Sequence, residues 1–205
     1  MNTLIEQVLG APAWVVYAVV GLVVFAEDAL FVGFVLPGET LAILGGVTAS
    51  LGHTHLTAVL AIVVVAAIVG DSVGYEIGRR AGPRLLRLPL LLRHAGRLED
   101  AQGVLRRRGG PAVFLGRWTA FFRAVMPALA GLSQMRYRTF LPWNMLGGLA
   151  WGGAAVTAGF IAGESYRRVE KVLGPGAAVA ALVVVLVAAG VWHLRRRRRS
   201  SPAAS

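Results

Sequence analysis

Seven ionisable side chains stand inside or beside long apolar runs of this sequence: Glu27, Asp28, Glu39, Asp71, Glu76, Arg117 and Arg123. A charge at the centre of a hydrocarbon layer costs at least about 2.5–3.5 kcal/mol on insertion scales, so such residues face a protein interior, where they pair or line a pathway. Glu27 and Glu39 bracket the dipeptide Pro37-Gly38. Pro37 brings no N–H and Gly38 tolerates unusual dihedrals, so the chain can turn between the two acids. Glu39 then opens a short helix, where free N–H groups favour a carboxylate. An apolar setting pulls an acid toward its neutral form and a nearby guanidinium pulls it back. A carboxyl group held between those pulls can load and release a proton near neutral pH, which makes Glu27 and Glu39 candidates for proton coupling. The plainer alternative is that Glu39 only caps a helix and Glu27 lies at an interface.

Arg117 and Arg123 stand six apart in Phe114-Leu115-Gly116-Arg117-Trp118-Thr119-Ala120-Phe121-Phe122-Arg123. On one continuous helix they straddle a face; a bend between them would bring them together. A guanidinium keeps its proton and offers a planar fork to phosphate. Two of them in a loop that enters the membrane and returns could hold an anionic headgroup, or could serve as structural partners of Glu27 and Glu39. Asp71 and Glu76 are accessory candidates, either in the same site or at a helix end near the cytoplasm.

Other chemistries are missing from the sequence. It has no cysteine, and its four histidines form no HExxH pattern. No GxxxxGK[ST] phosphate loop occurs, and the GxSxG string Gly70-Asp71-Ser72-Val73-Gly74 lies within an apolar helical run, not on a strand-to-helix turn. No metal or organic cofactor is expected. The glycines of Gly70-Asp71-Ser72-Val73-Gly74-Tyr75-Glu76-Ile77-Gly78 fit close helix packing better than nucleotide binding.

The elements that must hold these charges follow from composition. Of 205 residues, 56% are hydrophobic and only 15% charged, against about 25% charged in a soluble domain. The net charge of +11 would suit a nucleic-acid binder, but the arginines cluster beside apolar runs with no interleaved aromatic surface, so no nucleic-acid partner is expected. Segments beginning at Ala13, Leu56, Thr139 and Val172 reach the roughly 20 residues that cross a bilayer core. Thr40–Gly52 is too short to cross and suits a re-entrant piece. Met1–Gln7 has no basic residue and precedes a long apolar run, unlike a cleaved leader.

Arginine placement predicts the topology. Residues 79 to 108 hold nine arginines against Glu99 and Asp100, and Arg195–Arg199 form a second basic block; both are expected in the cytoplasm. Parity then makes residues 111 to 134 a re-entrant hairpin from the cytoplasmic side. Ala13 to about Leu36 is expected to cross outward, with Pro37–Gly52 dipping in from outside and His53 and His55 in an outer turn. Arg167, Arg168 and Lys171 then fall outside, partly balanced by Glu164 and Glu170. A weak internal repeat agrees: Gly45 to Gly74 spans 29 positions and Gly131 to Gly159 spans 28, as in inverted-repeat transporters. The stretch 84 to 108 mixes leucines with arginines and reads as an amphipathic segment on anionic lipids of the inner leaflet, or as a solvated helical linker.

At these residues the chain resembles the DedA family of bacterial membrane proteins, related to the VTT-domain (SNARE-associated Golgi protein) group of eukaryotic lipid scramblases. The resemblance covers about residues 13 to 165. It rests on Glu27 with Pro37-Gly38-Glu39, on Gly70 through Arg79, on Phe114-Leu115-Gly116-Arg117 with Arg123, on Ala130-Gly131, and on Phe140, Asn144, Gly147 and Trp151. It implies an all-α integral membrane fold, about four spanning helices plus two opposed re-entrant hairpins in an inverted repeat. It also implies movement of a phosphate-bearing lipid, undecaprenyl phosphate or a phospholipid, between leaflets of the bacterial inner membrane, dependent on proton-motive force. The family's two acids fall on Glu27 and Glu39 and its two arginines on Arg117 and Arg123. The family usually has Asn after the first acid, here Asp28, and often Pro between the arginines, here absent. The expected organisation is a cytoplasmic segment 1–12, a membrane domain 13–165, a transmembrane helix 166–194 and a basic disordered tail 195–205. The expected activity is transport, not catalysis. Rival readings are an assembly scaffold with structural charges and, below it, a lipid phosphatase, which would need a nucleophile and base in the site.

Overall fold

The computed structural model describes residues 12–30, 38–81 and 95–173. Pro37, the leucine-rich part of 84–108 up to residue 94, the 172–194 segment beyond residue 173 and the tail 195–205 lie outside the described residues. Every regular element described is a helix: α1 (Ala13–Leu30), α2 (Gly38–Ser50), α3 (Leu56–Ala81), α4 (Ala95–Arg108), α5 (Gly110–Gly116), α6 (Ala120–Leu132) and α7 (Tyr137–Leu173). Three of them, α1, α3 and α7, are long and apolar enough to cross a membrane. The chain divides into two units, residues 1–161 and 162–205. All the charged residues of interest lie in the first. In the second, α7 runs on past Gly163, where the apolar run ends, because Glu164-Ser165-Tyr166-Arg167 holds no breaker; Arg167 bonds Glu164 one turn back at 3.3 Å.

Local chemistry explains the boundaries. Gly52, at φ +81°, ends α2, with the His53 N–H donating to the Thr48 carbonyl. Gly109, at φ +60°, ends α4, and Pro111 follows in the first turn of α5, where its missing N–H does no harm. Between α5 and α6 the chain tightens through successive i to i+3 bonds at Arg117, Trp118 and Thr119, then extends at Thr119 (φ −124°, ψ 122°). The 111–134 segment therefore bends between its two arginines without a proline.

Contacts fix the directions of the helices. The Tyr17 hydroxyl accepts the His55 N–H at 2.8 Å, Gly21 faces Ile62, and Gly70 sits against Phe25 and Asp28. Helix α1 therefore runs in the same direction as α3, starting at the end that carries His53 and His55. This corrects the expectation that Ala13 to Leu36 crosses outward, opposite to the Leu56 helix. The first hairpin is the α1–α2 pair itself: Gly38 lies on Glu27 and Gly45 on Val20. Pro12 thus lies at the His53 end. Helices α5 and α6 form the second antiparallel pair, Gly116 packing on Met126. Helix α7 runs opposite to α3, Phe140 stacking on Tyr75 at 4.7 Å and Gly152 facing Val63 and Val64.

Two apolar clusters result. One gathers Val20, Val24, Ala42, Val59, Val63, Ala67, Trp151 and Val156 from α1, α2, α3 and α7. The other gathers Tyr75, Ala101, Leu105, Val113, Val125, Met126, Leu129 and Phe140 from α3 to α7. Ala101 and Leu105 so bury one face of α4 in protein, while Arg106, Arg107 and Arg108 stay exposed. Small residues let the helices meet backbone to backbone. A Cβ on Gly46 would overlap Val156 of α7, one on Gly159 would overlap Ile43 of α2, and Gly78 and Gly131 join α3 to α6 in the same way.

Candidate functional site

Between the two clusters lies a layer of charge. Along one face of α3 the buried order is Ala67, Asp71, Tyr75; along α7 it is Phe140, Asn144, Gly147, Trp151. Spacings of three and four keep each set on one helical face. The turning ends of the two hairpins meet at this level. Helix α1 brings Glu27 and Asp28, α2 brings Glu39, the end of α5 brings Arg117 and α6 brings Arg123. Except for Glu39, all these side chains are at least 93% buried, counting Asp71 and Asn144.

The two arginines have different surroundings. Arg123 donates to Glu27 at 2.8 Å and to Glu39 at 3.4 Å. The Glu39 side chain is 59% exposed, so this pair faces open space. Arg117 is enclosed. It donates to Asn144 at 2.9 Å and to Asp28 at 3.4 Å, and it pairs with Asp71. The Asn144 amide in turn donates to the Ile68 carbonyl at 3.1 Å, which fixes its orientation. Trp151 turns its ring to both guanidiniums, at 4.9 Å from Arg123 and 5.8 Å from Arg117. A desolvated contact of this kind contributes up to about 2 kcal/mol.

Glycines make room for the charges. A Cβ on Gly38 would overlap the Glu27 carboxylate, and one on Gly147 would overlap the Arg117 side chain. Beside the layer, toward the His53 end, is a cavity of about 280 Å³. Arg117, Arg123 and Glu39 form its polar part; Trp118, Trp151, Ile43 and the alanines at 154, 155 and 158 form the rest.

The structure thus brings together Glu27, Glu39, Asp71, Arg117 and Arg123, with Gly38 against Glu27. Glu76 stands apart, half exposed and bonded to Arg80 at 2.7 Å. Pairing is more divided than the sequence suggests: Glu27 and Glu39 serve Arg123 alone. Asp28, Asn144, Gly147 and Trp151 complete the layer without having been assigned roles. The signal for Asp28 was present, since a second acid beside Glu27 in an apolar run needs a counter-ion of its own. Asn144 and Trp151 fall on the face of α7 that also carries Phe140 and Gly147.

The VTT domain matches residues 36–161. The protein DedA of Escherichia coli K12 is 32% identical over 98% of this chain and 92% of its own length. The inner membrane protein YohD of the same strain is 35% identical over 87% of this chain and 93% of its own. Membrane protein ML0287 of Mycobacterium leprae is 32% identical over 84% and 78%. The chain belongs to the DedA family. It is a DedA-family membrane protein whose described elements are all helices, and several of the residues that first pointed there are gathered in its charge layer. No solved structure matches the chain.

Proposed function

We propose that this DedA-family protein is a transporter that moves a phosphate-bearing lipid, undecaprenyl phosphate or a phospholipid, between leaflets of the bacterial cytoplasmic membrane with proton coupling. The observation that carries the reading is Arg123, buried between Glu27 and Glu39 yet lining the cavity through its partnership with a half-exposed acid. Phosphate competes with carboxylate for the same planar fork. A headgroup arriving in the cavity displaces Glu39 from Arg123, and protonation of Glu39 and Glu27 favours that exchange. Arg117, held by Asp28, Asp71 and Asn144, lines the cavity beside Arg123. Releasing the lipid restores the carboxylate pairs.

In this reading the α1–α2 and α5–α6 pairs are re-entrant hairpins entering from opposite faces, with their turns meeting at mid-depth. Two cross-contacts support an inverted repeat: α2 of the first half packs on α7 of the second through Gly46 and Gly159, and α6 of the second packs on α3 of the first through Gly131 and Gly78. The arginine-rich end, with Arg79, Arg80, Arg106, Arg107, Arg108, Arg136 and Arg138 exposed, is the cytoplasmic one and rests on anionic lipid. In the same reading the basic tail at 195–205 is expected on that side. A phosphatase reading fits less well, because His53 and His55 stand roughly 24 Å along α3 from Asp71.

A leaflet assay in proteoliposomes with a fluorescent polyprenyl phosphate tests the assignment. Arg123→Ala and Glu39→Gln are both expected to slow translocation at least tenfold, the loss of one charge-assisted contact. Wild-type rates in both variants would remove these residues from the mechanism.

A further inference from the structure

The charge layer does not balance. It holds four carboxyl groups, Glu27, Asp28, Glu39 and Asp71, against two guanidiniums. Around Arg123 the surplus is harmless, because Glu39 is exposed and water can carry its charge. The acids around Arg117 have no such outlet, because neither Asp28 nor Asp71 lines the cavity. Asp28, Asp71 and Arg117 are each at least 96% buried, and both acids lean on the one guanidinium.

Among the described residues, the further cation whose charge reaches the group is Arg123, acting on Asp28. From α1 the neighbour is Glu27, an acid; from α2 it is Glu39, an acid; from α6 it is Arg123, already held by those two. Helix α7 contributes Asn144, whose oxygen accepts from Arg117 and whose amide donates to the backbone, so it neutralises nothing. Two buried polar atoms of the group have no hydrogen-bond partner among the described residues, Nε of Arg117 and Oδ1 of Asp71. A bare carboxylate oxygen in that position carries the full desolvation cost of an anion, whereas a protonated one carries that of a neutral acid.

We propose that Asp28 and Asp71 share a single proton across Arg117, forming a proton-binding site distinct from the Glu27–Arg123–Glu39 group. The site then holds one net negative carboxylate against one guanidinium and is electrically neutral. Arg117 cannot supply the balance by deprotonating, so the proton resides on the acids. The shared proton keeps Arg117 permanently paired while Arg123 exchanges partners, which divides the two arginines into a fixed one and a working one. The charge argument holds whatever the protein transports.

Infrared difference spectroscopy of the purified full-length protein in lipid nanodiscs tests this through the stretching band of protonated carboxyl groups at neutral pH. Asp28→Asn and Asp71→Asn are each expected to remove one carboxyl's worth of that band, because the remaining acid ionises against Arg117. Each single variant keeps a melting temperature near that of the parent, since an amide replaces a group that is neutral half the time. The double variant leaves Arg117 buried without a counter-ion and is expected to melt lower by about 10 °C. Glu39→Gln leaves this part of the band in place. A band unchanged in both single variants, or a double variant that melts like the singles, would overturn the proposal. That result would leave the transport reading intact, and a failed leaflet assay would leave this site intact.

Discussion

At the scale of single residues, the two arginines are not equivalent, although the sequence presents them alike. Arg117 is gripped by two buried acids and an amide, and removing it strands both acids. Arg123 strands only Glu27, because Glu39 can turn to water. Arg117→Leu is therefore expected to destabilise the fold by about 3 kcal/mol, the usual cost of breaking a buried ion pair, and Arg123→Leu by distinctly less. Thermal melting in detergent would check the order, and equal losses would remove the distinction. The existence of these charges was legible in the sequence, because the cost of charge in hydrocarbon singles out every Glu, Asp and Arg in an apolar run. Their pairing was not. Asp28 and Arg117 are 89 positions apart, and which acid meets which base depends on helix rotation and depth, which hydropathy does not record. Asp71 and Glu76 show the same limit: one turn and a fraction apart on α3, one enters the layer and the other bonds Arg80 outside it.

At the scale of helices, close approach depends on a few glycines. The lipid-facing surfaces of these helices give little drive to associate, since lipid tails are as apolar as the side chains, so packing at small residues carries the load. Along α7 this makes a sharp contrast. Gly159 lies against the backbone of Ile43, with no space for a Cβ, whereas Gly153 has nothing within 4 Å. Gly153→Ala is expected to be neutral or to stabilise α7 by up to about 1 kcal/mol through helix propensity. Gly159→Ala, the same change six residues on, is expected to lower the melting temperature and the yield of folded protein by forcing α2 away. Similar melting for the two variants would show that the α2–α7 crossing is not a tight one. The bend between α5 and α6 makes a related point. A proline is one way to break a helix between two arginines, but i to i+3 bonds followed by an extended Thr119 achieve the break as well.

At the scale of the whole molecule, the informative error concerns α1. Counting charges and crossings treats each long apolar run as one traverse, and Ala13–Leu30 passes the length test. Hydropathy has the same value for a helix that crosses as for one that reaches mid-depth and turns back, so direction has to come from contacts. The bond from His55 to Tyr17 and the approach of Gly70 to Asp28 supply it, and they place the start of α1 beside the α2–α3 turn. The chain has no cysteine, so single cysteines can report the side of each end without a background. His53→Cys and Arg107→Cys, both at exposed positions at opposite ends of the first unit, are expected to react with a membrane-impermeant maleimide from opposite faces of intact cells and inverted vesicles. Pro12→Cys decides the topology, because the two hairpin arrangements disagree about it. An α1 that crosses outward places position 12 on the face of Arg107, and an α1 that runs parallel to α3 places it on the face of His53. Labelling of Pro12→Cys together with His53→Cys is the expected outcome. Labelling together with Arg107→Cys would return α1 to a full crossing and would separate Glu27 from the turn that brings Glu39 to Arg123.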